Sequence, residues 1–189
     1  MNSPVFILIN AAINFALMVL FVRFMFEFAQ VDAKSPYMQA TRRMTRVVDV
    51  FSGILPNVGT ERHISTAAVV LMLILYWINI SANAFLLGES ISAVKLFFAG
   101  TLQAIIKFLA MLRYIIIGSV VASWVVMLMN VSHPAVHLIM QLSEPIIAPF
   151  RRIIPNLGML DLSPIAAIFA LLLMQEFITI IGANIWAGM

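Results

Sequence analysis

Long charge-free stretches alternate along this chain with short polar ones, and the charge-free stretches are of membrane length. Val5 to Val22 holds no charge, and Ile64 to Leu87 holds none over 24 residues. A helix of about 20 apolar residues crosses the roughly 30 Å of bilayer hydrocarbon. The pattern therefore predicts a first span from Val5 to about Phe28 and a second over Ile64 to Leu87. Ile91 to Asn130 is too long for one crossing and is interrupted by Lys107 and Arg113. It predicts a short interfacial or half-inserted helix over about 91–110, then a third span from about Leu112 to Asn130; a single long tilted helix is the alternative. A fourth span follows from about Pro164 to Trp186 and contains Glu176.

The polar stretches have a period of their own. Ser35-Pro36 reads as a helix start, serine as N-cap and proline at the first helical position. Gln39, Arg42, Arg43, Arg46 and Asp49 then recur at three- and four-residue steps, with Met44, Val47, Val48, Phe51 and Leu55 opposite them. A helix divided in that way lies along a membrane surface. Gly53 and the turn Pro56-Asn57-Val58-Gly59 end it. Residues 131–163 repeat the arrangement. A helix starts at His133-Pro134 with His137, Gln141 and Glu144 as its polar stripe. Ser143-Glu144-Pro145 is expected to break it and open a second short helix limited by Pro149. Pro155-Asn156-Leu157-Gly158 turns the chain, and Asp161-Leu162-Ser163-Pro164 opens the last span.

The two halves thus match. The two Pro-Asn-x-Gly turns are 99 residues apart, and Phe51, Ile54 and Leu55 fall on Phe150, Ile153 and Ile154 at that offset. The expected organisation is a first repeat over 1–90 and a second over 91–189, each with two spans and an amphipathic helix. Two spans per unit give the copies the same orientation, related by an axis along the membrane normal.

Composition agrees with lipid as the solvent. Of 189 residues 63% are hydrophobic and 10% charged, against about 45–50% and about 25% in soluble domains. The net charge of +3 comes from basic residues beside apolar runs, which act as topology signals and headgroup contacts rather than nucleic-acid ligands. Lys34, Arg42, Arg43, Arg46, Arg62, Arg151 and Arg152 lie in the two polar segments, against Lys95 and at most Lys107 and Arg113 on the opposite side. The positive-inside rule places those segments in the cytoplasm and both termini in the periplasm. Met1 to Pro4 has no basic n-region, so the first span is expected to be a retained anchor. The absence of cysteine excludes disulfides, thiolate metal sites and thiol nucleophiles.

Few side chains carry chemistry. Ionisable groups within a membrane are costly and face a partner or a wet cavity. Glu176, about 12 residues into its span, is therefore expected to pair with Arg113 or Lys107, as a clamp or as part of an ion path. Arg23 and Glu27 are four apart on one face, an intrahelical pair. Arg151 and Arg152 suit positive-inside anchoring or anionic headgroups, with Asp161 within reach across the turn. Arg42, Arg43 and Arg46 form a basic face for lipid or a partner. His133 and His137 have a metal-ligand spacing but no third ligand, so no metal is expected. Asn10, Asn14, Asn79, Asn83 and Asn184 suit interhelical hydrogen bonds, and Gly100, Gly118 and Gly182 close helix contacts. No phosphate-binding loop, dinucleotide fingerprint, nucleophile elbow or paired-carboxylate arrangement is present, so neither an enzyme nor a cofactor is expected.

The run from Ser143 to Pro164, with Glu144-Pro145, Pro149-Phe150-Arg151-Arg152, Pro155, Gly158 and Asp161-Leu162-Ser163-Pro164, resembles the signature of the YggT family. With Arg113 upstream, the resemblance covers nearly all of the second half. The first half lacks Glu-Pro and Arg-Arg at the matching places, where Ser52-Gly53 stand for the arginines. The resemblance implies a multi-pass bacterial inner-membrane protein. Relatives are associated with cell-division genes, with plastid cytochrome b6 haem attachment and nucleoid organisation, and with osmotic tolerance and potassium handling.

The expected fold class is an all-α membrane protein of about four transmembrane helices in two parallel repeats, each with a cytoplasmic amphipathic helix. Its expected partners are the bilayer, anionic headgroups, and a membrane protein or a second copy, with no nucleic acid bound directly. Two functions follow: a membrane scaffold or assembly factor, or a small component of potassium or proton transport or of the osmotic-stress response.

Overall fold

A computed structural model describes residues 4–55, 65–88, 92–129, 133–154 and 161–188. The described residues form seven helices and no strand: α1 (Pro4–Phe28), α2 (Pro36–Met44), α3 (Arg46–Ser52), α4 (Thr66–Leu87), α5 (Ala93–Met129), α6 (Pro134–Arg151) and α7 (Ser163–Gly188). α1, α4, α5 and α7 are each long and apolar enough to cross a membrane. Their outer surfaces expose side chains such as Leu8, Phe85, Trp124 and Phe177, which only lipid or another protein surface can solvate favourably. The chain is a multi-pass membrane protein.

The bundle is built around α5, which touches α4 on one side and α7 on the other, while α1 packs on α4. Leu17, Phe24, Met72, Tyr76 and Ala104 bury the α1–α4–α5 seam, and Leu109, Ile116, Ile147, Ala167 and Leu171 bury the α5–α6–α7 seam. Lipid supplies no hydrophobic force between helices, so close packing and hydrogen bonds hold them together. At Gly100 a β-carbon would lie 2.1 Å from Trp77 Cδ1, so the indole rests directly on the glycine backbone. Gly182 receives Leu102 in the same way. Toward the same end, Asn10 donates to Asn83 (2.8 Å) and accepts from Asn79 (3.0 Å), tying α1 to α4. Asn14 and Asn184 are exposed and make no such bond among the described residues.

The helix ends follow local chemistry. Ser65 caps α4, its hydroxyl accepting from Ala68 N–H at 3.4 Å. The same helix stops at Gly88, whose φ of +72° is open to glycine at little cost. α2 starts at Pro36 as its sequence predicts, although the Ser35 hydroxyl makes no capping bond.

Three expectations are corrected. Over 93–129 the chain follows the alternative, one long helix, rather than an interfacial piece and a separate span: α5 has 37 residues, about 55 Å at 1.5 Å per residue. It contains no proline, and the charges of Lys107 and Arg113 do not disturb backbone hydrogen bonding in residues that favour helix. α6 is not broken at Ser143-Glu144-Pro145; it runs through Pro145 and Pro149 to Arg151. It folds back along the later part of α5, burying Leu142, Ser143 and Ile147, and this packing overrides the helix-breaking tendency of the prolines. The first polar segment is two helices that change direction at Thr45, and its buried stripe is Met38, Thr41, Thr45 and Val48. Met44 and Val47, expected on the apolar face toward the membrane, are 60% and 56% exposed on the protein surface. The turns Pro56-Asn57-Val58-Gly59 and Pro155-Asn156-Leu157-Gly158, together with Arg62, lie outside the described residues.

Candidate functional site

The spans alternate in direction, so the end of α1, the start of α4, the end of α5 and the start of α7 share one end of the bundle. α2–α3 and α6 lie there too, and their polar groups are tied to the spans at specific points. Arg23, near the end of α1, is 4% exposed. Its Nε donates to Glu27 one turn on, and its Nη2 donates to Asp49 of α3 at 2.7 Å. The sequence signalled the first partner through its four-residue spacing, while the second, 26 residues away, gave no local signal. The remaining Nη1 of Arg23 and Oε2 of Glu27 are buried without partners among the described residues. The pair therefore depends strongly on both members being present.

The second cluster is built on α6. Arg151 Nη1 donates to both carboxylate oxygens of Glu144 at 2.7 Å, and its Nε donates to Asp161 at 2.9 Å. Asp161 Oδ1 accepts from the backbone N–H of Ser163 at 2.9 Å, so one carboxylate both caps α7 and grips α6. The hydrogen bond to Asp161 raises the Arg151 pKa above its ordinary value. Burial pushes the Asp161 carboxyl up, but the hydrogen bonds from Arg151 and Ser163 outweigh it and hold the group below its usual value. The Asp161 carboxylate and the Arg151 guanidinium are therefore both held in their charged forms. They are also half-exposed, so the cluster orients α6 more than it stabilises the fold.

Glu144, Arg151 and Asp161 form the mouth of a cleft of about 430 Å³ between α5, α6 and α7, with Ser119, Ser123 and Trp124 on its α5 wall. Those three wall residues carry no motif in the sequence, and only their i, i+4, i+5 spacing on α5 would have suggested a shared face. Pro145 and Pro149 lie inside α6, Ser163 and Pro164 open α7, and Arg152 is the exposed C-cap of α6. Pro155 and Gly158 lie outside the described residues. Gln141 Nε2 donates to the backbone carbonyl of Ala29 at 3.2 Å, joining α6 to the end of α1.

The intramembrane pair is corrected. Arg113 does not reach Glu176: its Nη1 donates to Gln175 at 2.8 Å, and its guanidinium lies 5.8 Å from the Tyr114 ring. Adjacent helical positions point about 100° apart, and the rotation that buries Leu171 against α5 turns Gln175 inward and Glu176 outward. Lys107 is also exposed on the bundle surface. A charge at that depth costs about 2.5–3.5 kcal/mol on insertion scales. Arg42, Arg43 and Arg46 are exposed on α2–α3. His133 caps α6, its Nδ1 accepting from Ala135 N–H at 3.2 Å, and no group of three His, Asp or Glu side chains among the described residues could hold a metal ion.

Residues 98–182 match the CCB3/YggT family model. A Vibrio alginolyticus protein described as an uncharacterized protein in the proC 3′ region is 30% identical over 164 residues, which are 86% of each chain. The chain belongs to the CCB3/YggT family. A Haemophilus influenzae relative is 29% identical over 97% of this chain and 96% of its own. YggT of Escherichia coli K12 is 24% identical over 90% of this chain and 86% of its own. No solved structure matches significantly. The CCB3/YggT region takes in most of α5, all of α6 and most of α7. It therefore contains both the Arg113–Gln175 bond and the Glu144–Arg151–Asp161 cluster, while the Arg23 cluster lies in the half that the CCB3/YggT match leaves out.

Proposed function

We propose that this protein is an inner-membrane scaffold, without enzymatic chemistry, whose cytoplasmic end holds anionic lipid and a membrane-protein partner against a rigid bundle. The observation that carries this is the distribution of charge. The ion-paired residues gather at one end of the bundle, fixed to it through Arg23–Asp49 and Arg151–Asp161, and the seven-to-three excess of basic residues in these segments favours the cytoplasm for that end. The duplicated pattern of the sequence supports the same reading, each half supplying one polar segment between two spans.

The α2–α3 face has the chemistry of an anionic-lipid site. An apolar groove of about 440 Å³ runs between α1 and α4, walled by Phe15, Val19, Leu71 and Ile78, with Met44 and Val47 at its rim. An acyl chain suits the groove, and the exposed Arg42, Arg43 and Arg46, neighbours in sequence of Met44, Thr45 and Val47 in its lining, offer charge for a phosphate. The ion-path alternative lacks comparable support. Arg113 is engaged by Gln175, Lys107 and Glu176 face outward, and none of the cavities described above brings the three together.

Two measurements test the proposal together. Vesicles containing the purified protein are expected to pass potassium and protons no faster than empty vesicles. Phosphatidylglycerol retained through purification is expected to fall at least tenfold in an Arg42→Gln, Arg43→Gln, Arg46→Gln variant, since each surface arginine contributes about 1 kcal/mol toward an anionic leaflet. Protein-dependent ion flux, or unchanged lipid retention, would overturn it.

A further inference from the structure

Among the described residues, Lys107 and Glu176 are the two charged side chains of the central membrane region without a hydrogen-bond or ion-pair partner. Both are exposed, and neither takes part in the ion pairs of the bundle. Their positions are related. α5 and α7 run antiparallel, with Leu102 seated on Gly182 and Arg113 bonded to Gln175. That register brings Lys107 level with Glu176 to within about one helical turn, roughly 5 Å. Glu176 lies halfway along α7, so both charges sit in the middle of the spans.

They also face the same way. On α5 the stripe toward α7 contains Leu102, Leu109, Arg113 and Ile116, and Lys107 is rotated from it by roughly 145°. On α7 the stripe toward α5 contains Ala167, Leu171, Gln175 and Gly182, and Glu176 is rotated from it by a similar angle. The helices are antiparallel, so the two rotations have opposite sense when viewed from one end. The lysine and the glutamate therefore emerge on one side of the α5–α7 pair, the lysine on its α5 flank and the glutamate on its α7 flank. Exposed Tyr114 and Val121 continue the α5 flank, and exposed Phe169, Leu173 and Ile180 continue the α7 flank.

We propose that this face is a homodimer interface, in which a second copy of the chain pairs both charges. A two-fold axis along the membrane normal, passing between the flanks, exchanges left and right. Lys107 then meets the partner subunit's Glu176, while Glu176 meets the partner subunit's Lys107. The reciprocal pairs leave no unpaired charge at mid-membrane, and the flanking apolar side chains supply the packed contact. The interface is separate from the lipid-binding α2–α3 surface and does not depend on the scaffold reading.

The test uses the full-length protein in lipid nanodiscs or vesicles, with self-association followed by energy transfer between labelled copies. The wild-type chain is expected to dimerise. Lys107→Glu alone places four acids at the interface and Glu176→Lys alone places four lysines there, so each variant should self-associate at least tenfold more weakly. Mixing the two variants restores both pairs across the interface and should return association to near the wild-type level. That rescue separates pairing from misfolding, because an unfolded variant cannot be rescued by its counterpart. A monomeric wild type, single variants that dimerise normally, or a mixture that associates no better than its components would each overturn the proposal.

Discussion

Arg23→Ala is expected to lower the stability of the folded bundle by about 3–5 kcal/mol, the usual consequence of removing one member of a buried ion pair. Arg23 is 4% exposed, and the change would strand Glu27, whose side chain is 11% exposed, without its cation. Asp49 would be affected less, since its carboxylate is half-exposed and can be solvated. The loss reaches beyond the pair, because Arg23 is the point at which α3 is anchored to α1. Thermal unfolding in mild detergent, followed by tryptophan fluorescence, should show a markedly lower midpoint. Glu27→Gln in the Arg23→Ala background should recover part of it, since a neutral amide tolerates burial better than an unpaired carboxylate. A midpoint within the range of ordinary surface substitutions would mean that the pair does not hold the first polar segment in place.

Gly100→Val should be the second most damaging change. A β-carbon there would lie 2.1 Å from Trp77 Cδ1 and 2.8 Å from Nε1, so α4 and α5 must separate or the indole must leave its site. Overpacking of this kind costs about 1–3 kcal/mol, and a rigid ring against the helix backbone places it at the upper end. Gly182→Ala is the natural comparison. The atom in its way is the tip of the flexible Leu102 side chain, which can rotate aside, so its effect should be smaller. Trp77→Ala should relieve Gly100→Val, and equal damage from Gly100→Val with and without Trp77 would contradict the contact.

These residues also show what the sequence could and could not reveal. Long apolar runs mark the four spans because a bilayer imposes length and polarity directly on the chain. The Arg23–Glu27 pair was legible from spacing alone, whereas Asp49 was not, because the contact depends on how α2–α3 fold back over α1. The sequence leaves the continuity of α5 open between one long helix and two pieces, because Lys107 and Arg113 resemble boundaries. A charge in a span breaks the hydrophobic pattern without breaking the helix, and Arg113 found its partner on α7. The choice between Gln175 and Glu176 as that partner was likewise hidden: one position changes the direction by about 100°, and only the packing of Leu171 and Gly182 fixes the rotation. The prolines of α6 mislead for a related reason, since propensity yields to tertiary packing where one face of a helix is seated on its neighbours, as at Leu142, Ser143 and Ile147.

The account rests on two polar segments sharing one cytoplasmic face of the membrane. The chain contains no cysteine, so single cysteines at Arg43 and Arg152 can be labelled one at a time in intact cells and in inverted vesicles with a membrane-impermeant maleimide. Both positions should react in inverted vesicles and remain protected in intact cells. Labelling of the two positions from opposite sides of the membrane would contradict the account.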